Sequence, residues 1–308
     1  MKSLEVGAEM NDRWIKYLLV LPGVLAVLLS AVWPLVQVFY LSFRDWRLNR
    51  SAESSPLWRL EDGWSEISWL FDNYARAFQD PGFWSSAWTT TIFCLAAVVI
   101  TLVLALASAL LLFPGGRTRG ALRTLLILPF AMSPALIGIN WRFMFNAEYG
   151  FVASLAKATG WNGPVPNWLG TPNGAMAILV SSDVWHWTPY ITMMFIGALA
   201  SVPREAQEAA RIDGASELQV FKDVTLPLIW PVISVAAVLK TIFGLKVFDQ
   251  VYLITNGGPG NTTQTLAHYI YYHGVKYSDM GYASALSYLL VVPLGVLVVI
   301  HTRSVFKR

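Results

Sequence analysis

Long apolar runs with few charged residues constrain the fold of this chain more than any other feature. Only 13% of its 308 residues are charged, whereas soluble globular proteins usually have about 25%. A helix needs roughly 20 apolar residues to cross a bilayer core, and continuous runs of this length exclude barrel strands, which alternate over about ten residues. The sequence therefore predicts an all-α integral membrane protein. Its six transmembrane helices are predicted over residues 17–41, 86–112, 124–145, 174–200, 226–254 and 282–302.

Composition and missing motifs exclude several classes of function. The net charge of +3 and the lack of a basic cluster argue against nucleic acid. The single cysteine, Cys94, excludes an intramolecular disulfide and a thiol-based metal centre. The sequence has no phosphate-binding Gly-x-x-x-x-Gly-Lys-Ser/Thr motif, no zinc-protease motif and no serine nucleophile elbow. We therefore expect a non-catalytic chain without its own cofactor or metal, which neither binds nor hydrolyses ATP.

Basic residues place both termini on the cytoplasmic side, because short cytoplasmic loops carry an excess of lysine and arginine. About half of the 22 lysines and arginines lie in segments that share one side if the helices number six. The opposing loop 42–85 also contains arginines, but its length and acidic residues reduce its weight. The first apolar run is too long for a signal peptide, so we expect it to remain as a helix. The basic residues of the cytoplasmic side are Lys2, Arg13, Lys16, Arg117, Arg119, Arg123, Arg204, Arg211, Lys222, Arg303, Lys307 and Arg308.

A short polar segment, residues 201–227, separates the fourth and fifth apolar runs. Pro203 is typical of a helix start, and Gly214 is placed to end that helix, because glycine adopts a left-handed cap without strain. Ser216 and Gln219 have the spacing of a capping box and predict the start of a second helix. A polar pair of helices on the cytoplasmic side indicates contact with a soluble partner.

The spacing within this segment resembles the "EAA" loop of bacterial ABC (ATP-binding cassette) importer permeases. The shared positions are Glu208-Ala-Ala, Gly214 and Leu226-Pro227, with Val224 where the family usually has isoleucine. The similarity extends over most of the chain and is strongest to carbohydrate permeases, in particular the larger permease of maltose transporters. The further segments that carry it are Asn73–Trp84, Leu128-Pro129, Asp249 with Tyr252, Thr255–Pro259 and Gly281-Tyr282-Ala283.

The resemblance implies a type I importer bundle in a bacterial cytoplasmic (inner) membrane. It implies a heterodimer with a second permease, two ATPase subunits that carry ATP and Mg, and an external solute-binding protein. Residues 1–85 would form a cytoplasmic segment, the first helix and an external loop, and residues 86–308 a core of five helices with the coupling loop 201–227. The residues expected to contact the ATPase are Glu208, Ala209, Ala210, Asp213 and Gly214.

Polar residues within the apolar runs are candidates for a substrate cavity, because ionisable groups are costly at membrane depth. Lys246 and Asp249 lie three residues apart in the predicted fifth helix, so they either pair with each other or line a water-filled cavity. Asn140 takes a similar place in the third helix. The resemblance to the maltose permease implies that substrate contacts fall on His186, Trp187, Tyr190, Lys240, Gly244 and Val247.

Lys240 departs from the family pattern, because it puts a cation where a small hydroxyl is expected. We therefore hypothesise a cargo that is smaller than maltose or negatively charged, such as a phosphate, a sulfonate or a uronate. The sequence as a whole predicts a permease that imports a sugar or sugar derivative by alternating access. Three alternatives stay open: a permease for a polyol or glycerol phosphate ester, an ion-coupled secondary transporter, and a membrane enzyme that uses Asp183 and Asp249.

Overall fold

A computed structural model describes residues 15, 17–48, 71–113, 115–160, 163 and 166–306 of the chain. The regular structure of these residues is helical, apart from an isolated bridge between Arg47 and Asp279. The predicted all-α fold is thereby confirmed. The basic residues near the two chain ends, Lys2, Arg13, Lys16, Lys307 and Arg308, lie outside the described residues.

The helices are numbered here in chain order. They are α1 (Tyr17–Ser42), α2 (Asp72–Gln79), α3 (Pro81–Leu112), α4 (Arg117–Leu126), α5 (Leu128–Ala131), α6 (Pro134–Met144), α7 (Phe151–Ala158), α8 (Pro172–Ala200), α9 (Arg204–Ile212), α10 (Glu217–Leu245), α11 (Leu266–Tyr271) and α12 (Met280–Phe306). Short π-helical stretches occur within α1 and α10, over Leu28–Val32 and Val220–Thr225, and follow α10 and α11, over Val251–Thr255 and Tyr272–Lys276.

Three of the helices begin with the same two-residue signal, a capping side chain followed by proline. The cap accepts a hydrogen bond from a backbone N–H of the first turn, and proline costs nothing there because its missing N–H would have had no helical partner. The pairs are Asp80-Pro81 for α3, Ser133-Pro134 for α6 and Thr171-Pro172 for α8.

The chain divides into two compact units. The first comprises Met1–Gln79 and Tyr272–Leu289, and the second Asp80–Tyr271 and Leu290–Arg308. Within the first unit, Arg76 donates to Asp279 at 2.8 Å and its guanidinium lies 4.0 Å from the ring centroid of the fully buried Tyr282. These contacts fix α2 against the start of α12.

The second unit has its core between α3, α8 and α10. Ala105 and Ala109 of α3 are fully buried against Ile191 and Phe195 of α8, and Ile229 of α10 joins the same cluster. Small side chains at such a contact let the helix backbones approach closely, which is the usual way for helices to pack in a membrane.

The part of the chain that the structure describes has fewer candidate membrane spans, by length and composition, than the six predicted. Among the described residues, four helices are long and apolar enough, or five if a pair bent by 94° counts as one span. The four are α1, α3, α10 and the Met280–Arg303 part of α12. Helix α8 has 29 residues, about 43 Å at 1.5 Å per residue, but polar residues reduce its hydropathy. Several of these polar residues, among them Asp183 and His186, are buried within the protein. A side chain that does not face lipid can be polar.

Two predicted spans are broken where the sequence suggested continuity. The span 124–145 bends by 94° between Ala131 and Pro134, because the residue before a proline avoids helical geometry and Ser133 is extended. The span 226–254 was also wrong as one helix: α10 ends at Leu245, and Lys246 has non-helical angles of φ −104° and ψ 20°. The sides on which the termini lie and the predicted division at residues 85 and 86 stay predictions.

We predict that Asp279→Ala loosens the first unit. Asp279 accepts from Arg76 and also from the backbone N–H of Tyr282 at 3.3 Å, so its loss leaves a guanidinium and a buried N–H without an acceptor. A loss of about 1–3 kcal/mol is expected, read out as faster hydrogen exchange in residues 280–286 of the detergent-solubilised protein. The matched control is Asp72→Ala, which removes an exposed carboxylate of the same unit. Equal hydrogen-exchange rates in the two variants would contradict the stabilising role of Asp279.

Candidate functional site

The coupling loop (residues 201–227) begins with α9, which ends as its sequence predicts. Gly214 adopts φ +87°, in the left-handed region. Its N–H donates to the carbonyl of Arg211 at 3.1 Å, and the N–H of Ala215 donates to the carbonyl of Ala210 at 3.0 Å. These two bonds form a Schellman motif. They satisfy the end of α9 with local contacts, so the tip of the loop has a defined shape without help from another chain.

The second half of the coupling loop is also rigid. Ser216 and Gln219 form the predicted capping box, with both reciprocal hydrogen bonds present. The helix that starts there is not a short one. It continues through Pro227 as α10 and ends at Leu245. Gln207 of α9 donates to Thr225 of α10 at 3.2 Å. Helix α9 is therefore hydrogen-bonded to the N-terminal part of the 29-residue helix α10.

The tip of the coupling loop is exposed and mixes charge with aliphatic surface. Glu208, Ala209, Asp213 and Gly214 are exposed, and Ala210 is half-buried. Sequence reasoning missed two aliphatic residues, Ile212 and Leu218, whose exposed fractions are 86% and 75%. An aliphatic residue in an otherwise polar segment is the signal that could have identified them. Exposed apolar side chains rimmed by polar ones mark interaction surfaces.

An ion pair joins Arg211 and Glu217, the two residues that directly precede these aliphatic residues in sequence. The guanidinium of Arg211 donates to both carboxylate oxygens of Glu217, at 2.7 and 3.1 Å. This hydrogen bond raises the pKa of Arg211. The pair is solvent-exposed, so it contributes little to stability, but its two-pronged geometry fixes the position of both side chains.

A polar cavity of about 200 Å³ lies in the second unit between α8 and the residues around the end of α10. Its wall contains charged, polar and aromatic side chains together. The residues that matter for its chemistry are Asp183, His186, Trp187, Lys246, Asp249 and Gln250. Phe243 and Phe248 provide further aromatic surface. This combination is typical of small-molecule sites, in which a few polar groups orient a ligand against apolar walls.

Four of the eight predicted cavity residues line this cavity: His186, Trp187, Val247 and Asp249. Tyr190 is not among its lining residues. Its ring stacks on Phe130 at a centroid distance of 4.7 Å, next to Trp187.

The remaining three predicted residues lie elsewhere. Gly244 packs on Cys94, where an added Cβ would come within 3.0 Å of the sulfur. Asn140 lines a separate cavity of about 270 Å³, together with Trp141 and Trp185. Lys240 is fully buried, and its ammonium donates to the carboxylate of Asp183.

The ion pair between Lys240 and Asp183 bears on the charge of the cargo. Lys240 does not line the cavity as a free cation, because the carboxylate of Asp183 neutralises it. With Lys246 and Asp249 included, the cavity wall and the buried layer behind it contain two carboxylates, two ammonium groups and the imidazole of His186. The hypothesis of a smaller or negatively charged cargo therefore stays a prediction, and an exposed cation at Lys240 does not support it.

Lys246 and Asp249 do not share a helical face, because α10 ends before them. Both line the cavity, and the ammonium of Lys246 lies 4.8 Å from the ring centroid of Phe243. Among the ion pairs of the described residues, none joins Lys246 to Asp249. Of the two alternatives raised by the sequence, this geometry favours the cavity-lining role.

Two close contacts position the segment 246–250, which forms part of the cavity wall. Gly138 of α6 packs on Leu253, and an added Cβ would lie 2.8 Å from the Cβ of Leu253 and 3.6 Å from the carbonyl oxygen of Asp249. The hydroxyl of Thr265 donates to the carbonyl of Val247 at 3.1 Å. Both contacts fix the backbone that presents residues 246–250.

Comparison with known proteins gives consistent results. A family model described as binding-protein-dependent transport system inner membrane component matches residues 97–308. The trehalose/maltose transport system permease protein MalF of Thermococcus litoralis is 33% identical over 94% of this chain and 93% of its own length. The sulfoquinovosyl glycerol transport system permease protein SmoG of Agrobacterium fabrum is 32% identical over 92% of this chain and 87% of its own.

A third relative and a solved structure agree with these matches. The lactose transport system permease protein LacF of Rhizobium radiobacter is 34% identical over 73% of this chain and 76% of its own length. The structure of a bacterial ABC transporter involved in the import of the acidic polysaccharide alginate has a chain with a TM-score of 0.79, which covers 98% of this chain and 99% of that one. At 19% identity this similarity concerns the fold alone.

We predict that the Asp183–Lys240 pair behaves as one energetic unit. Asp183→Asn or Lys240→Met alone leaves a buried charge without its counter-charge and is expected to cost about 3–5 kcal/mol. The double variant removes both charges and should recover most of that loss. A double-mutant cycle measured by denaturant unfolding in detergent tests the coupling, with the exposed Arg211–Glu217 pair as the matched control. Single losses that simply add in the double variant would contradict it.

Proposed function

Since the chain belongs to the family of binding-protein-dependent transport system inner membrane components, we propose that it is the permease subunit of an ABC importer for a sugar or sugar derivative. In this proposal the sugar crosses the bacterial inner membrane by alternating access through the polar cavity. The chain forms a heterodimer with a second permease, and both of its termini are cytoplasmic. Two ATPase subunits bind ATP and Mg, and an external binding protein delivers the sugar.

The observation that carries the proposal is the continuity of α10. Its first turn contains Glu217 of the coupling loop, and its last residue, Leu245, directly precedes Lys246 of the cavity. Its 29 residues span about 43 Å at 1.5 Å per residue. A displacement of the coupling loop therefore shifts one wall of the cavity through a single secondary element. Such an element transmits energy if an ATPase binds the loop differently in two conformations.

Two observations support a sugar as the cargo. Three curated relatives at 32–34% identity are permeases for trehalose/maltose, sulfoquinovosyl glycerol and lactose. The cavity places Trp187 and Phe243 near carboxylate, imidazole and amide groups. Aromatic faces pack on the C–H surface of a sugar ring while polar groups bind its hydroxyls.

The exposed tip of the coupling loop supports an ATPase as the partner. Ile212 and Leu218 supply apolar surface, and Glu208 and Asp213 are exposed acids beside it. We propose that the aliphatic pair packs in a groove of the ATPase and that the acids meet basic residues at its rim. Burial of the two aliphatic side chains would contribute about 1.5–3 kcal/mol each.

We predict that Gly214→Glu abolishes sugar uptake while the chain still inserts in the membrane. A non-glycine residue at φ +87° is strained, by roughly 1–2 kcal/mol, and a charged side chain there would also block the docking surface. Uptake of radiolabelled maltose, trehalose and lactose into cells that express the complete transporter should fall at least tenfold for each sugar that the wild type imports. Gly214→Asn should keep most activity, because asparagine tolerates this conformation.

The matched control is Gly120→Glu. Gly120 is an exposed glycine of α4 with open space around its Cα, so this variant adds the same charge to another cytoplasmic segment. It should transport as the wild type does. Wild-type uptake by Gly214→Glu would contradict the coupling role, and would favour an ion-coupled transporter that needs no ATPase contact.

A further inference from the structure

Two buried polar atoms in the wall of the polar cavity lack a hydrogen-bond partner. They are Oε1 of Gln250 and Nδ1 of His186, and among the described residues no donor or acceptor reaches them. Gln250 is only 3% exposed and His186 5% exposed, and both line the cavity. Buried polar atoms are almost always paired in proteins, so each exception requires an explanation.

We propose that Gln250 is a specificity-determining residue, which binds a hydroxyl of one sugar ring in the cavity with His186 as a second polar contact. This inference rests on the proposed sugar transport and adds to it a residue that neither the sequence motifs nor the resemblance assigned. The side-chain amide of Gln250 has both an acceptor oxygen and N–H donors. A sugar hydroxyl can also donate one hydrogen bond and accept others, so it can bind either the oxygen or the N–H of the amide.

Two of the neighbouring charged groups already have partners. The carboxylate of Asp183 is engaged by the ammonium of Lys240, and Lys246 lies over the ring of Phe243. Gln250 itself follows the break at the end of α10, in a segment that Gly138 and Thr265 hold from two sides. The backbone is therefore fixed while the oxygen of the amide stays unbonded. Because Oε1 has almost no accessible surface in this conformation, binding requires a rotation of the amide towards the cavity that Gln250 lines.

The volume of the cavity suits one sugar ring. Its volume of about 200 Å³ is below the ~300–1,000 Å³ usual for larger small-molecule sites. The aromatic side chains of Trp187 and Phe243, with ring centroids 4.4 Å apart, both line this space. The rest of a longer sugar would have to lie outside it.

The test measures sugar binding to the complete transporter in lipid nanodiscs by calorimetry. The single-ring probes are methyl glucoside and methyl galactoside, and the two-ring probes are maltose and lactose. We expect a single-ring probe to bind, and Gln250→Met, which keeps the volume without the hydrogen bonds, to weaken it about tenfold or more. Among mono-deoxy analogues of that probe, the one without the bound hydroxyl should bind equally to the variant and the wild type.

A stability measurement without sugar separates binding from structure. Gln250→Met removes a buried oxygen without a partner, so the melting temperature of the sugar-free transporter should stay unchanged or rise. A lower melting temperature with uniform loss across all deoxy analogues would overturn the inference in favour of a structural role. Unchanged affinity for every probe would also overturn it. Binding of two-ring probes alone would overturn the single-ring limit. A wild type that binds none of the sugars would instead contradict the proposed function itself.

Discussion

The buried ion pair between Asp183 and Lys240 is the interaction on which the arrangement of the second unit depends. It joins α8 to α10 between residues 57 positions apart in sequence, and both side chains are almost fully removed from solvent. Neither charge is tolerable alone in such a place, because desolvation would cost several kcal/mol. The pair therefore specifies how α10 lies against α8, and with it the position of the cavity wall that follows the last turn of α10.

In the proposed function, the same helix links the coupling loop to the cavity. The coupling loop is locally complete, with a Schellman motif at Gly214 and a capping box at Ser216, so it does not depend on a partner for its shape. It continues directly into α10, whose far end borders the cavity. Physical coupling between distant sites requires an element that both sites bias. A long helix fixed near its end by an ion pair at Lys240 and at its start by a rigid loop is such an element.

Local signals made the coupling loop predictable from sequence. Gly214 and the Ser216–Gln219 spacing report backbone geometry over a few residues, so the structure follows them closely. The helical, membrane-embedded character followed equally from the apolar runs. The break at Ser133-Pro134 could have been predicted from the proline, but prolines are tolerated in transmembrane helices and a kink was the simpler expectation.

The chemistry of the cavity was less predictable, because it depends on packing between distant helices. Nothing near Lys240 in sequence indicates that Asp183 will neutralise it. The end of α10 at Leu245 carries no proline, so Lys246 and Asp249 were placed on one helical face that does not exist. Gln250 was missed for the same reason: within a continuous helix it would have been one polar residue among several, whereas after the break it lines the cavity.

The central claim is that this chain is the membrane subunit of an ATP-driven importer, with its coupling loop seated on an ATPase. The most direct test is to isolate the tagged chain from native membranes in mild detergent and to identify the proteins that co-purify by mass spectrometry. The account predicts recovery of a second permease and an ATPase subunit. Recovery of this chain alone, folded and in good yield, would contradict it.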